Sequence, residues 1–352
     1  MKPYIIGETA YHHEGDLDYL KKMIIDIAEA ELDGIKFHLL LDPASYMQTQ
    51  HPLFKATQRF TFTRDIWSGL FSLADSQGLD IIALCDDIQS IDFIIERHPD
   101  ITAVELHATS INDYFMLNKA AAFSGKIILG ISGSTVDDID YAVSILRNLG
   151  KEDLLLMYGF QSYPTDYRDI NLSKMLKLRD LFQLPVGYAD HTGFDDENKL
   201  FISAMGAAMG VNILEKHYTP EPGVKRIDYQ AAVGKKDLIE IKNLMQLYLS
   251  AYGNGTLAMS KSELIYGNTG PMKKALVARK RIKTGEKLSL ENLWFKRSSA
   301  NSPISQKELF NIVGLEALRV IEEDELIDYA SINYLFKTSD YSDLTGGLEE
   351  KK

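Results

Sequence analysis

Short apolar runs rich in β-branched residues alternate with longer stretches of helical periodicity from the start of the chain to about residue 250. The runs at 4–7, 34–40, 80–84, 101–106, 126–131, 153–157, 185–189 and 211–215 read as strands. A helical pattern follows each, for example over 17–30, 136–149 and 238–252. Eight strand–helix units in series predict a (β/α)8 TIM barrel over 1–252, an α/β fold. A doubly wound open sheet also alternates strands and helices, but no Gly-rich phosphate fingerprint follows the first strand. The alternation breaks at 253–272, where Gly253, Asn254, Gly255, Gly267, Asn268 and Gly270 mark a linker. Short strands and tight turns at Thr284-Gly285 and Glu323-Asp324 then predict a small β-rich domain over 273–333, and the polar segment 334–352 a flexible tail.

Composition narrows the function classes. The chain has 352 residues and a net charge of −12, which argues against nucleic acid or an anionic membrane surface as a partner. A small anionic substrate stays open, because a few inward-facing cations can dominate a pocket. Cys85 is the sole cysteine, so no internal disulfide can form and a reducing cytoplasm is expected. The opening MKPYIIGETAYHHEGD reaches charge too early for a secretory signal, and no apolar run is long enough for a membrane span.

In such barrels chemistry sits where strands end and loops begin. The first strand closes on Glu8, with His12 and His13 in its loop, and the second carries Lys36 and His38. Asp86 and Asp87 end the third, while the fourth holds Glu105, His107 and Ser110. Gln161 and Tyr163 follow the sixth, Asp190 and His191 close the seventh, and Glu215 and His217 the eighth. Six of the eight histidines fall at these ends or loops, and scattered surface residues would not do so. The seventh and eighth strands are neighbours in a closed barrel, so His191 and His217 can share a divalent ion such as Mn²⁺, Zn²⁺, Co²⁺ or Mg²⁺, with carboxylates nearby. Two protein nitrogens leave coordination positions open for water or substrate, as catalysis requires.

Lys36 inside a strand needs an anion beside it, and Glu8 on the preceding strand is the natural partner. That pair is either structural or a cation waiting for a substrate carboxylate or phosphate. Asp228 lies in GVKRIDYQAAV, either as a solvated loop carboxylate or as an acceptor for sugar hydroxyls. Arg297, in WFKRSS, is a surface cation unless its domain reaches over a barrel mouth.

Together these segments resemble the sialic acid synthase family, which includes N-acetylneuraminate, legionaminate and pseudaminate synthases and spore-coat polysaccharide proteins. IIGETAYHHEGD is similar to the family's AEIG-x-NH-x-G opening, GIKFH to VKFQ, GYADHT to GxSDHT and ILEKHYT to ILEKHFT. Tyr163-Pro164 matches a YP pair, Asp228 stands at a G-x-D, and VARKRIKTGEKLSLENLWFKR through VGLEAL resembles the antifreeze-like SAF domain. The resemblance covers nearly the whole chain in order. It implies condensation of phosphoenolpyruvate with an open-chain N-acylated hexosamine, giving phosphate and a nine-carbon α-keto acid for surface polysaccharide. It further implies a metal on His191 and His217, usually Mn²⁺, that polarises the sugar aldehyde, with Glu8 close by. Lys36 would meet phosphoenolpyruvate, Asp190 and Asp228 would orient the site and the sugar hydroxyls, and Arg297 would reach the barrel of a partner in a domain-swapped homodimer.

The fourth strand departs from that pattern. Where the family has K-I-x-S-x-E/D, this chain has Glu105, Ala108 and Ser110 in place of the lysine, the serine and the acid. Gln161 stands for an asparagine or serine, Ala189 for the serine of SDH, and His38 for a glutamine. Two like charges about 4 Å apart repel by roughly 4 kcal/mol at an effective dielectric near 20, about three decades in affinity. Glu105 thus opposes a phosphate unless Lys225, Arg226 or another cation compensates. Proton transfer would then fall to His107 or His38. Three functions fit: a divergent synthase of the resembled type, a metal-dependent aldolase or lyase on a non-phosphorylated keto acid, and a non-catalytic sugar-binding homologue.

Overall fold

Along each strand one set of alternate residues turns inward and the other outward, as the two-residue period of a strand requires. Ile6, Ile82, Ala103, Ile128, Leu155, Met157 and Ala189 form one buried cluster inside the barrel. Ile5, Ile35, Val104, Leu129 and Leu156 belong to a second cluster that packs against the helices. Both faces are therefore apolar, as expected of a parallel sheet covered on both sides.

The structure is a computed structural model that describes residues 1–160, 162, 165–267, 272–300 and 302–336. Among these residues, eight parallel strands close on themselves, with the first paired to both the second and the eighth. They are β1 (Tyr4–Glu8), β2 (Gly34–Leu39), β3 (Asp80–Cys85), β4 (Ala103–Leu106), β5 (Lys126–Gly130), β6 (Leu154–Tyr158), β7 (Val186–Asp190) and β8 (Ile213–His217). Each expected strand lies within two residues of an observed one. The expected helices at 17–30 and 136–149 appear as Leu17–Glu29 and Val136–Asn148, and the third begins earlier, at Lys235–Tyr252.

Caps fix where helices start. Asp16 accepts the amides of Asp18 and Tyr19, and Thr135 forms a capping box with Asp138. Asp87, one of the acids closing β3, is used the same way. It accepts Ser90 N at the start of helix Ile88–Arg97 and the amides of Leu41 and Asp42, so its role is to tie two loops together.

Contacts divide the chain into Met1–Asn254 and Gly255–Lys352. The expected linker contains a short helix, Lys261–Tyr266, begun by a Ser260–Glu263 capping box. In the second unit β9 (Ala275–Ala278) pairs antiparallel with β10 (Leu293–Lys296) over a core that includes Leu276, Ile282, Leu288, Ile312 and Ile321. Gly285 (φ 77°) and Asp324 (φ 66°) occupy the left-handed positions of its two expected turns. No helix among the described residues is long and apolar enough to cross a membrane.

Candidate active site

Above the apolar layer inside the barrel, the inward positions become polar. The two-residue period puts Lys36 and His38 on one face of β2, and Glu215 and His217 on one face of β8. Glu8 is in register with Lys36 on one side and with His217 on the other. These residues, with Glu105 and His107, line a cavity of about 210 Å³ at the C-terminal mouth of the barrel. Its lining also includes the small or apolar Ala108, Gly130, Met157, Phe160 and Ala189, together with Ser132. A Cβ on Gly130 would lie 3.3 Å from Ala108 N, a tight approach, and 3.4 Å from Glu105 Oε1, about van der Waals contact.

Lys36 is buried, and its ammonium meets three buried carboxylates: Glu215 Oε1 at 2.7 Å, and Glu8 Oε1 and Glu105 Oε1 at 3.2 Å each. Burial by itself would strip the lysine of its proton, but the charges of Glu105, Glu215 and Glu8 outweigh it and raise its pKa. One ammonium does not neutralise three carboxylates. Burial, and then the charge of Glu8, push Glu215 well above the usual carboxylate range. Glu105 is raised for the same two reasons, against the pull of Lys36. Glu105 Oε2 and Glu215 Oε2 are buried with no hydrogen-bond partner among the described residues.

Glu8 is the hub of the opposite wall. Its Oε1 lies 2.8 Å from His38 Nε2 and its Oε2 3.0 Å from His217 Nε2. Burial would raise its pKa, but His217 and Lys36 hold the carboxyl well below its ordinary range. The bond to Glu8 likewise overcomes burial at His38 and raises the imidazole pKa. Glu8, His191 and His217 each offer a ligand atom within 4.8 Å of the other two, and all three are buried. The His191 and His217 rings meet edge to face at 5.1 Å, and Nδ1 of each has no hydrogen-bond partner among the described residues. Burial, followed by the charge of His217, lowers the His191 pKa to about 3, leaving a neutral ring with a lone pair to give. Two imidazoles and a carboxylate are the donor set that a borderline divalent ion takes, so these residues fit such an ion.

The remaining candidates divide by place. His107 lines the cavity, its pKa lowered to about 4 by burial and by His38, whose ring is 6.3 Å away. Asp228 lines it too, from a loop position with φ 59°. Ser110 is buried and lines a neighbouring cavity between the β2 and β4 loops. Asp190 does not face the main cavity. Its carboxylate accepts Tyr188 OH, the Thr192 amide and hydroxyl, Ser203 Oγ and Lys216 Nζ, so it braces the backbone that carries His191. Arg297 is exposed just after β10 in the second unit. Arg226, which from sequence could have offset Glu105, instead lies over the Tyr19 ring at 3.9 Å. Gln161 and Tyr163 lie outside the described residues.

Sequence reasoning assigns no role to Glu215, although its Lys36 contact is the shortest of the three. Its signal is the spacing Glu215-x-His217, which repeats Lys36-x-His38: in a strand, i and i+2 share a face. Asp86 likewise has no role from sequence. It accepts Tyr11 OH at 2.6 Å and stands 3.9 Å from His38 Nδ1, backing that ring from behind.

The fold and this site define a (β/α)8 barrel with a candidate metal centre of two histidines and one glutamate at its catalytic end. The NeuB family model matches residues 39–256, and the SAF domain model residues 273–333. The chain belongs to the NeuB family and carries a C-terminal SAF domain. It is 28% identical to the N,N'-diacetyllegionaminic acid synthase of Campylobacter jejuni over 93% of this chain and 99% of that one. The Legionella pneumophila enzyme of the same name is 27% identical, over 89% of this chain and 90% of its own length. The solved N-acetylneuraminic acid synthetase of Leptospira borgpetersenii shares the fold, with a TM-score of 0.68 at 24% identity over 75% of this chain and 90% of that one.

Proposed function

We propose that this protein is a metal-dependent, nonulosonic-acid-synthase-like enzyme that forms a carbon–carbon bond to the aldehyde of an open-chain N-acylated hexosamine. The observation that carries this reading is the buried Glu8–His191–His217 group at the end of the barrel where the fold does chemistry. Membership of a family whose relatives are synthases supports it. A divalent ion held there, Mn²⁺ in this reading, supplies Lewis acidity to a carbonyl oxygen. The chain does the rest. Glu8 holds the His217 and His38 rings on its two oxygens. The bond to Glu8 raises the His38 pKa and favours its protonated form, while burial keeps the His107 ring neutral with a lone pair that can accept a proton. Asp228 offers its carboxylate to sugar hydroxyls. In the same reading the enzyme works in the cytoplasm as a domain-swapped homodimer, and Arg297 reaches the partner subunit's barrel to meet the acyl group.

For the donor, the family resemblance implies phosphoenolpyruvate, with phosphate released and a nine-carbon α-keto acid formed. A second reading is favoured by Lys36, whose ammonium is already taken up by three carboxylates. In that reading the same metal-dependent site runs an aldolase or lyase reaction on a non-phosphorylated keto acid. Both are tested by incubating the full chain with Mn²⁺, a set of N-acylated hexosamines, and either phosphoenolpyruvate or pyruvate. A product that needs metal and disappears in His191→Ala supports the assignment. Turnover unchanged in that variant refutes it.

A further inference from the structure

Between the loops that follow β2, β3 and β4 lies a second cavity, of about 430 Å³. The cavity beside Glu8, His191 and His217 measures about 210 Å³. Small-molecule sites usually span roughly 300–1,000 Å³, so the first cavity by itself is small for an acceptor and a donor together. The two are neighbours across one partition. His38 lines the first, and its Nδ1 stands 3.9 Å from Oδ2 of Asp86, which lines the second. His107 also lines the first, and its Nδ1 meets Oγ1 of Thr109, on the second, at 3.1 Å.

The second cavity has hydrogen-bonding groups left open. Ser110 is 6% exposed, and its hydroxyl bonds no described residue. Asp86 is 5% exposed; it accepts Tyr11 OH on Oδ2 and keeps Oδ1 without a partner among the described residues. The other two acids in the lining are engaged, Asp87 by the amides of Leu41, Asp42 and Ser90 and Asp113 by those of Phe115 and Met116. A buried polar group without a partner costs free energy that a bound group can recover. No lysine or arginine lines this cavity, and His51, which is exposed, is the one lining side chain able to become cationic. His38, beyond Asp86, is already bonded to Glu8. Burial raises the Asp86 pKa, but neither its carboxylate nor its acid form supplies positive charge, so a phosphate finds no ion-pair partner here. A hydroxyl or an amide suits both forms, and Met47 and Met116 add apolar surface beside them.

From these neighbouring cavities and their open groups we infer that the second cavity holds the far end of the acceptor sugar, with Ser110 and Asp86 as specificity-determining residues for an unphosphorylated chain. The aldehyde lies at the Glu8–His191–His217 group, and the carbons most distant from it pass the partition and place uncharged, hydrogen-bonding substituents on Ser110 and Asp86. The inference rests on the reading of the barrel mouth as the place where an N-acylated hexosamine presents its aldehyde, and it adds where the rest of that sugar lies. The span suits it. One imidazole ring separates the cavities, with His38 Nε2 2.8 Å from Glu8 and Nδ1 3.9 Å from Asp86, a reach that an extended six-carbon chain covers. A phosphate ester at the far end would instead meet Asp86 and no cation.

The test is calorimetry on the full chain loaded with Mn²⁺, using N-acetylmannosamine, N-acetylglucosamine and the 6-phosphate of each. At least one unphosphorylated sugar is expected to bind in the millimolar range, and its 6-phosphate at least tenfold more weakly. Ser110→Leu, which fills the second cavity, should weaken the sugar at least tenfold and leave Mn²⁺ affinity unchanged, whereas a merely structural loss would move both. If that variant does not fold, Gln48→Trp obstructs the same cavity from an exposed lining position and should weaken the sugar in its place. Gln48→Lys, a cation at that position, should tighten the 6-phosphate at least tenfold. A 6-phosphate that binds the unaltered protein as well as its parent sugar overturns the inference, as does sugar binding indifferent to the filled cavity or a 6-phosphate indifferent to the added lysine. If neither sugar nor either 6-phosphate binds the Mn²⁺-loaded chain, the acceptor reading beneath it is overturned as well.

Discussion

Two lysines on the barrel strands, Lys36 and Lys216, are buried against carboxylates, and they are solved in opposite ways. Lys216 on β8 has a single carboxylate partner, Asp190 Oδ2 at 2.6 Å, and its Nζ also donates to Thr192 O at 2.9 Å. Both oxygens of that aspartate are engaged, Oδ1 by Tyr188 and Thr192 and Oδ2 by Ser203 and Lys216. Lys36 on β2 faces three carboxylates, two of which keep an oxygen with no partner among the described residues. A buried pair whose charges balance and whose hydrogen bonds are complete holds structure. A buried cluster with excess charge and open acceptors has hydrogen-bonding capacity left for a bound group, and its excess charge raises the pKa of Glu215 and Glu105. The contrast separates scaffold from site even between adjacent residues of β8, since Glu215 belongs to the open cluster and Lys216 to the closed pair.

Removing a metal ligand should have the largest effect. His191→Ala is expected to weaken Mn²⁺ binding by on the order of 100-fold or more, as read by titration of the free-ion resonance signal, since even residues behind the ligands commonly matter 10- to 100-fold. Retained affinity would mean that the cluster around Lys36, and not the histidine pair, attracts the ion. Next comes the closed pair. Lys216→Met leaves Asp190 buried without its cation and should cost about 3–5 kcal/mol in urea denaturation. A loss under about 1 kcal/mol would show that the scaffold pair is no tighter than a surface ion pair.

Acid should act through neutral histidines away from the pair, the buried His13 and the half-buried His98. Burial, then the charge of His38, lowers the His13 pKa to about 4, and burial followed by Arg97 lowers that of His98. The unfolded chain protonates these rings near their ordinary value and the folded chain does so later, so protons favour unfolding between about pH 6.5 and pH 4. Stability contributed by His13 is present above pH 6.5 and is lost as the pH falls through that window, at a slope of up to about 1.4 kcal/mol per pH unit. His13→Asn should flatten the slope of urea stability against pH, and an unchanged slope would assign the effect elsewhere. The smallest effect is expected at Glu105→Gln. Removing one of three carboxylates around a single ammonium should shift stability by less than about 1 kcal/mol in either direction, unlike loss of one partner from a balanced pair. A penalty as large as that of Lys216→Met would erase the contrast.

Much of this is legible in the sequence. Strand positions come through because the apolar runs are bounded by turn residues and are apolar on both faces, as in Ile5–Ile6 and Leu154–Leu156. His191 and His217 can be paired from the sequence alone because neighbouring strands of a closed barrel bring their ends together. The partners of Lys36 are less accessible. Glu8 follows from adjacency, but Glu105 and Glu215 sit on strands that do not neighbour β2, and only the barrel's closure points all three carboxylates at one ammonium. Asp190 cannot be separated from a catalytic acid by sequence, because its engagement by Ser203 and Lys216 depends on a helix and a strand folding back on it.

The central claim is that a divalent ion is held by two imidazoles and one carboxylate at the barrel mouth. Its most direct test is pulsed electron paramagnetic resonance of the Mn²⁺-loaded chain, read for nitrogen coupling to the ion in the unaltered protein and in His191→Ala. We predict one Mn²⁺ per chain coupled to two histidine nitrogens, with one of the two couplings lost in the variant. Mn²⁺ without nitrogen coupling, or coupling that His191→Ala leaves unchanged, would contradict the account.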